Sequence, residues 1–325
     1  MDMDDGARMR DPIDVAALFS NAERKPAPPI APGAQFILGS YTNKAGTRAY
    51  KLYVPSGYAG QALPLVVMLH GCGQNPDDFA VGTRMNELAE RPPRLVLYPV
   101  QAPSANNQQC WNWFNAGDQL RDRGEPSLIA GMTRQVMATY KVDERRVYVA
   151  GLSAGGAMAA VMGVTYPDLY AAAGVHAGLA YGAARDLASA LAAMQGQRAA
   201  PRAATPNASA VPTIVFHGDR DTVVHPRNAD QVILQGAARY HAVAGAQPRV
   251  LRQSGRVPDG YAYTQYIHLD PQGRPFQEQW LVHGAGHAWS GGSIRGSYTD
   301  PKGPDSSKEM LRFFDANPRL EKKSG

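Results

Sequence analysis

The 325-residue chain has only two cysteines, no long apolar run and little charge. Two cysteines allow one pairing, Cys72 with Cys110, and exclude both a disulfide-dense scaffold and the paired-cysteine spacing of a zinc site. The strongest apolar run, 63–69, carries Pro64 and is strand-length, far short of the ~20 residues that span a membrane. Charged residues make up 19%, against about 25% in an average chain. The net charge of +5 is scattered rather than clustered, so neither nucleic acid nor a membrane is an expected partner. There is no H-E-x-x-H motif, and the glycine-rich turn at 151–155 holds a serine and no following lysine, so no metal and no nucleotide cofactor is expected. The N-terminus, MDMDDGARMRDP, has acids where a secretory signal has bases, and the VAALF after it is too short for the apolar core of a signal. The chain as given therefore points to the cytoplasm or to an export signal outside it.

What is present is a folding chain: 44% of residues are apolar, and 33 glycines and 25 prolines supply turns without reaching low-complexity levels. Residues 1–32 mix charge with APPIAP and read as a flexible arm; 33–325 read as one large domain. Strand-like stretches at 48–54, 64–69, 95–100, 146–151, 171–175 and 213–217 alternate with helix-like ones, chiefly 127–141 and 155–164. That alternation predicts an α/β fold with a mostly parallel twisted sheet covered on both faces. The pair 261–269 and 276–282 flanks DPQGRP and predicts a hairpin at the sheet edge. The Ala-rich stretch 181–210 reads as a cap-like insertion near the top of the sheet.

The sharpest chemical signal is Gly151-Leu-Ser153-Ala-Gly155 between an apolar strand and a helix of small residues. A serine on such a turn is lifted clear of the sheet at a helix N-terminus, and the flanking glycines allow strand and helix to approach. A serine hydroxyl needs a base and an orienting acid. After strand 213–217 come Asp219 and Asp221. Asp221 lies deeper in its loop and is anchored by Val223 and Val224, so it is the favoured acid, while Asp219 suits a turn bond. After 276–282 come His283 and His287. His287, flanked by Gly286 and Ala288 and further from the strand, is the favoured base, and His283 suits a structural place at the strand end. His176, His225, His241 and His268 have no partner motif. HGCGQ at 70–74 offers the Cys72 amide, with that of Ala154, as an oxyanion hole. Cys72 and Cys110 would brace this loop if bonded and would be two thiols in a reducing compartment. Trp111, Trp113, Phe114 and Trp289 are candidates for an apolar substrate floor.

Together, HGCGQ at 70–74, CWNWF at 110–114, GLSAGGAM at 151–158, HGDRDTVV at 217–224 and GHAWSGG at 286–292 resemble the poly(3-hydroxybutyrate) depolymerase family of esterases. The segment 296–305 with the helix-like stretch after it resembles that family too. The resemblance implies an α/β-hydrolase fold and carboxylic-ester hydrolysis without a cofactor, with Ser153 as nucleophile, Asp221 as acid and His287 as base. Its namesake substrate is a short-chain polyhydroxyalkanoate. Feruloyl and acetylxylan esterases are relatives, so a small or plant-cell-wall ester is the rival substrate. A non-catalytic relative that binds a polymer through its aromatic rim is the rival of another class. Members are typically secreted. No obligatory protein partner is expected, and no separate substrate-binding domain follows the catalytic one in this chain.

Overall fold

The computed structural model describes residues 28–197, 211–245 and 248–319. Most of the arm expected at 1–32, and 198–210 of the expected insertion, lie outside the described residues.

The chain runs β1 (Gln35–Asn43), β2 (Gly46–Val54), β3 (Leu63–Leu69), α1 (Pro76–Thr83), α2 (Met85–Leu88), β4 (Leu95–Pro99), α3 (Gly124–Thr139), β5 (Val142–Leu152) and α4 (Ala154–Thr165). It continues with β6 (Ala172–His176), α5 (Leu187–Met194), β7 (Thr213–Gly218), α6 (Arg227–Ala244), β8 (Arg249–Arg256), β9 (Ala262–Leu269) and β10 (Pro275–His283). The short strands β11 (Trp289–Ser290) and β12 (Thr299–Asp300) pair with each other, and α7 (Ser306–Ala316) follows.

Ten strands form one sheet in the order β1-β2-β4-β3-β5-β6-β7-β10-β9-β8. The six from β4 to β10 are parallel, and the two at each flank are antiparallel. Parallel strands are buried on both faces, which explains why β3 reads as an unbroken apolar run. Its residues divide by parity: Leu65 and Val67 face α3 and α4, while Val66 and Met68 face α1, α2 and α7. All six parallel strands end on one rim, where the loops after β3, β5, β7 and β10 lie.

One expectation is corrected. The β9–β10 hairpin is present, but β10 is not an edge strand: it pairs parallel with β7 from Gln277 to Val282. Its Phe276, Trp280 and Val282 are buried, as an inner position requires. The edge is β8, whose arginine-rich, largely exposed sequence gives no apolar alternation and suits an unpaired border. At the other border β1 pairs with β2 from Gln35↔Val54 to Asn43↔Gly46, although its sequence alternates weakly.

Candidate active site

β5 passes into α4 through Ser153, whose backbone has φ 57° and ψ −120°, a strained conformation for a residue with a side chain. The Ser153 amide donates to the His176 carbonyl at the end of β6, 2.9 Å away, fixing the turn against the next strand. A Cβ on Gly155 would drive into the carbonyls of Leu69 and His70, and one on Gly151 into the backbone of Gly155. The two glycines are thus the condition for α4 to lie directly against β3 and β5.

The loop that carries Asp219 and Asp221 follows β7. Asp221 has a buried side chain; its Oδ1 accepts from the amides of Val223 (2.9 Å) and Val224 (2.8 Å). Its Oδ2 lies 2.7 Å from His287 Nδ1 and 3.3 Å from His217 Nε2. Because the carboxylate only accepts, His287 carries its proton on Nδ1, which leaves Nε2 as the basic nitrogen of the neutral ring. Burial opposes the charge on Asp221, but the hydrogen bonds from His217, His287 and Val224 hold its pKa below the ordinary carboxylate value. Asp219 and His283 form a separate pair at 2.9 Å, with Gly284 donating to Asp219 and Thr264 bonded to His283. The four residues are thereby sorted into two pairs, one on the strand end and one in the loop beyond it. Among the described residues no hydrogen bond joins Ser153 Oγ to His287.

His176, which no motif singles out, is the common anchor. Its carbonyl holds Ser153, while its Nε2 accepts from the Ser290 amide (2.9 Å) three residues past His287. Burial, reinforced by His217 and His287, drives its imidazole pKa well below the usual value, so it is a neutral acceptor. His217 was likewise legible only as a strand end; its Nε2 lies 2.7 Å from the Val224 carbonyl, so it carries the proton that also faces Asp221. The clue lay in HGDRD, where a histidine four residues before the acid begins the same loop.

The loop after β3 brings Cys72 beside Ser153. Among the described residues the amides of Cys72 and Ala154 donate to no protein acceptor. Gln74 folds back so that Gly71 donates to its Oε1 (2.9 Å), and its Nε2 donates to the Ser297 carbonyl (3.0 Å). Cys72 and Cys110 form a disulfide, and Gly73 donates to the Gln108 carbonyl (2.8 Å), joining this loop to the segment before Trp111.

A cavity of about 590 Å³ opens here, lined by Cys72, Trp113, Phe114, Ser153, Ala154 and Val224 among others, none of them charged. A groove of about 670 Å³ between β1 and α3 lies away from Ser153 and holds none of the paired groups above. The aromatic floor needs correction: Trp113 lines the cavity, but Trp111 is 0% and Trp289 1% exposed. Trp111 packs in the core against His70, and Trp289 stacks on His176 with its Nε1 bonded to Ser307, because a large apolar ring is most stable where it is fully desolvated.

Residues 48–248 match the family model described as Esterase PHB depolymerase. Poly(3-hydroxyalkanoate) depolymerase C of Paucimonas lemoignei is 32% identical over 256 residues, which are 76% of this chain but 59% of that protein. Feruloyl esterase B of Neurospora crassa is 30% identical over 245 residues, 70% of this chain and 80% of that one. Among solved structures, an acetyl xylan esterase from Aspergillus awamori superposes with a TM-score of 0.65, covering 86% of this chain and 99% of its own at 21% identity. An S-formylglutathione hydrolase from Agrobacterium tumefaciens superposes at 0.55, covering 89% and 98% at 13% identity. The likeness to these structures is one of fold, the α/β-hydrolase sheet with its helices.

Proposed function

Since the chain belongs to the Esterase PHB depolymerase family, we propose that it hydrolyses neutral carboxylic esters by acyl transfer through Ser153, and that its substrate is a short-chain polyhydroxyalkanoate. The observation that carries this reading is the buried 2.7 Å Asp221–His287 pair on the rim where Ser153 stands in a strained strand-to-helix turn. In the proposed reaction His287 Nε2 takes the Ser153 proton as Oγ bonds to the ester carbon. The amides of Cys72 and Ala154 hold the oxyanion. Collapse of the tetrahedral adduct breaks the ester C–O bond, and His287 returns the proton to the leaving alcohol. Water, deprotonated by the same nitrogen, then releases the acid and restores Ser153. The uncharged cavity supports a neutral substrate, because an ionic one would lose its hydration there without a partner. A second reading has its own support: Trp113 and Phe114, edge to face at 5.6 Å on the cavity wall, would receive the ring of a feruloyl ester.

The test is release of 3-hydroxybutyrate oligomers from amorphous poly(3-hydroxybutyrate), beside turnover of methyl ferulate and p-nitrophenyl acetate. Ser153→Ala should lower every serine-dependent rate at least about a thousandfold. Oligomer release by the wild type alone supports the polyester reading. Turnover of ferulate without polymer moves the substrate to the second reading, and equal rates for wild type and variant overturn the mechanism.

A further inference from the structure

The cavity beside Ser153 has two unlike walls. One is α5, which presents Leu187, Ala190, Leu191 and Met194 to it, spaced i, i+3, i+4 and i+7 along one helical face. Ala190 is buried, but Leu187 is 63% and Leu191 58% exposed, so two large apolar side chains one turn apart meet water at the mouth of the site. They are built in place. Asp186 caps the helix through Ser189 in a reciprocal box, and the His225 amide and Asn228 side chain hold its last turn by the carbonyls of Met194 (2.7 Å) and Ala193 (3.0 Å).

A second stretch of the lining, 104–108, is mostly polar. Asn106 is turned inward, its Oδ1 accepting from the amides of Gln108 and Cys110, but the side chains of Ser104 and Asn107 are exposed and take no hydrogen bond among the described residues. This wall too is held, by the Gly73–Gln108 backbone bond and the disulfide.

We infer that the cleft between α5 and residues 104–108 is a chain-binding subsite for an aliphatic oligoester, with alkyl branches on Leu187 and Leu191 and ester carbonyls accepting from Ser104 and Asn107. The inference rests on Ser153 being the nucleophile of an ester hydrolase. An aliphatic polyester alternates alkyl-bearing carbons with carbonyls that can only accept, which matches a cavity lined by one apolar stretch and one stretch of donors. A glycan would set hydroxyl groups against the leucines and leave them without hydrogen-bond partners.

The experiment compares kcat/KM for a linear 3-hydroxybutyrate tetramer with that for p-nitrophenyl acetate, and reads their ratio. Leu187→Asn with Leu191→Asn, at positions already facing water, should lower the ratio about tenfold or more, and Leu187→Met with Leu191→Met should restore most of it. Ser104→Ala with Asn107→Ala should lower it about threefold. A ratio within twofold of wild type in the asparagine variant, or equal losses on both esters, overturns the subsite. Retention of both activities in Ser153→Ala would instead overturn the acyl-transfer reading on which the subsite rests, so the two failures are distinct.

Discussion

Both oxygens of Asp221 are occupied, Oδ1 by the amides of Val223 and Val224 and Oδ2 by His287 and His217. His217 does not line the cavity beside Ser153; it bridges Asp221 and the Val224 carbonyl, so in the proposed reaction it would be a positioning residue. Replacing it by leucine leaves Asp221 buried with one donor fewer, whereas glutamine keeps an N–H on a chain of similar reach. His217→Leu is expected to lower kcat by about ten- to a hundredfold with little change in KM, and His217→Gln to recover part of that loss. Stability follows with a definite sign. The folded pKa of Asp221 is depressed below its ordinary 3.8, so its contribution is present above that value and is lost as pH falls through the lower folded one. Acid unfolding of His217→Leu, followed by circular dichroism, should therefore begin at higher pH than that of the wild type. Coincident acid transitions and unchanged kcat would remove His217 from the machinery of the site.

At the scale of elements, Glu125 in the first turn of α3 gathers the loop before it. Its Oε2 accepts from the Asn112 amide (2.7 Å) and its Oε1 from the Asn112 side chain (2.7 Å) and from Gln101. The Gln101 amide donates in turn to His70 (3.2 Å), whose other ring nitrogen meets the Gly71 carbonyl (2.8 Å). Burial, with the Asp118 carboxylate adding to it, pushes Glu125 up to about 7 against the pull of those donors. A raised carboxyl contributes stability below its ordinary value near 4.5, and loses it as pH rises through about 7. The wild type should thus lose on the order of 3 kcal/mol between pH 4.5 and 8 by urea unfolding, a slope that Glu125→Gln lacks. Parallel profiles would show that Glu125 does not titrate in that window. This network spans 70–125 and is invisible in the sequence, because each of its members is an ordinary polar residue until the fold brings them together. The inner strands β3, β4, β5, β6 and β7 were legible for the opposite reason: burial on both faces writes a continuous apolar run. β1 and β8 were not, since border strands are selected for polarity. Trp111 and Trp289 show the same limit for side chains, because tryptophan serves a core and a rim equally well and only packing decides between them.

For the whole molecule, the site is assembled from loops that belong to distant strands. Ser153, Asp221 and His287 each lie in a short motif at a strand end, so their candidacy was readable from local sequence. The parts that set those loops relative to one another, His176 between β5 and β11 and the disulfide between Cys72 and Cys110, act across the rim. Cys72 sits between Gly71 and Gly73 in the loop after β3, and its bond to Cys110 closes a separation of 38 residues that includes all of β4. Closing a loop of that length restricts the unfolded chain by about 3–4 kcal/mol. The same bond ties the Cys72 amide to the wall that carries Asn107 and Trp113. Cys72→Ser with Cys110→Ser is therefore expected to lower Tm by roughly 5–10 °C, and to reduce kcat on p-nitrophenyl acetate more than it raises KM. The asymmetry matters because an oxyanion donor acts chiefly in the transition state, whereas a loosened wall weakens binding of the ground state as well. A fall in Tm with kcat unchanged would confine the disulfide to stabilising the chain and take the Cys72 amide out of the oxyanion hole.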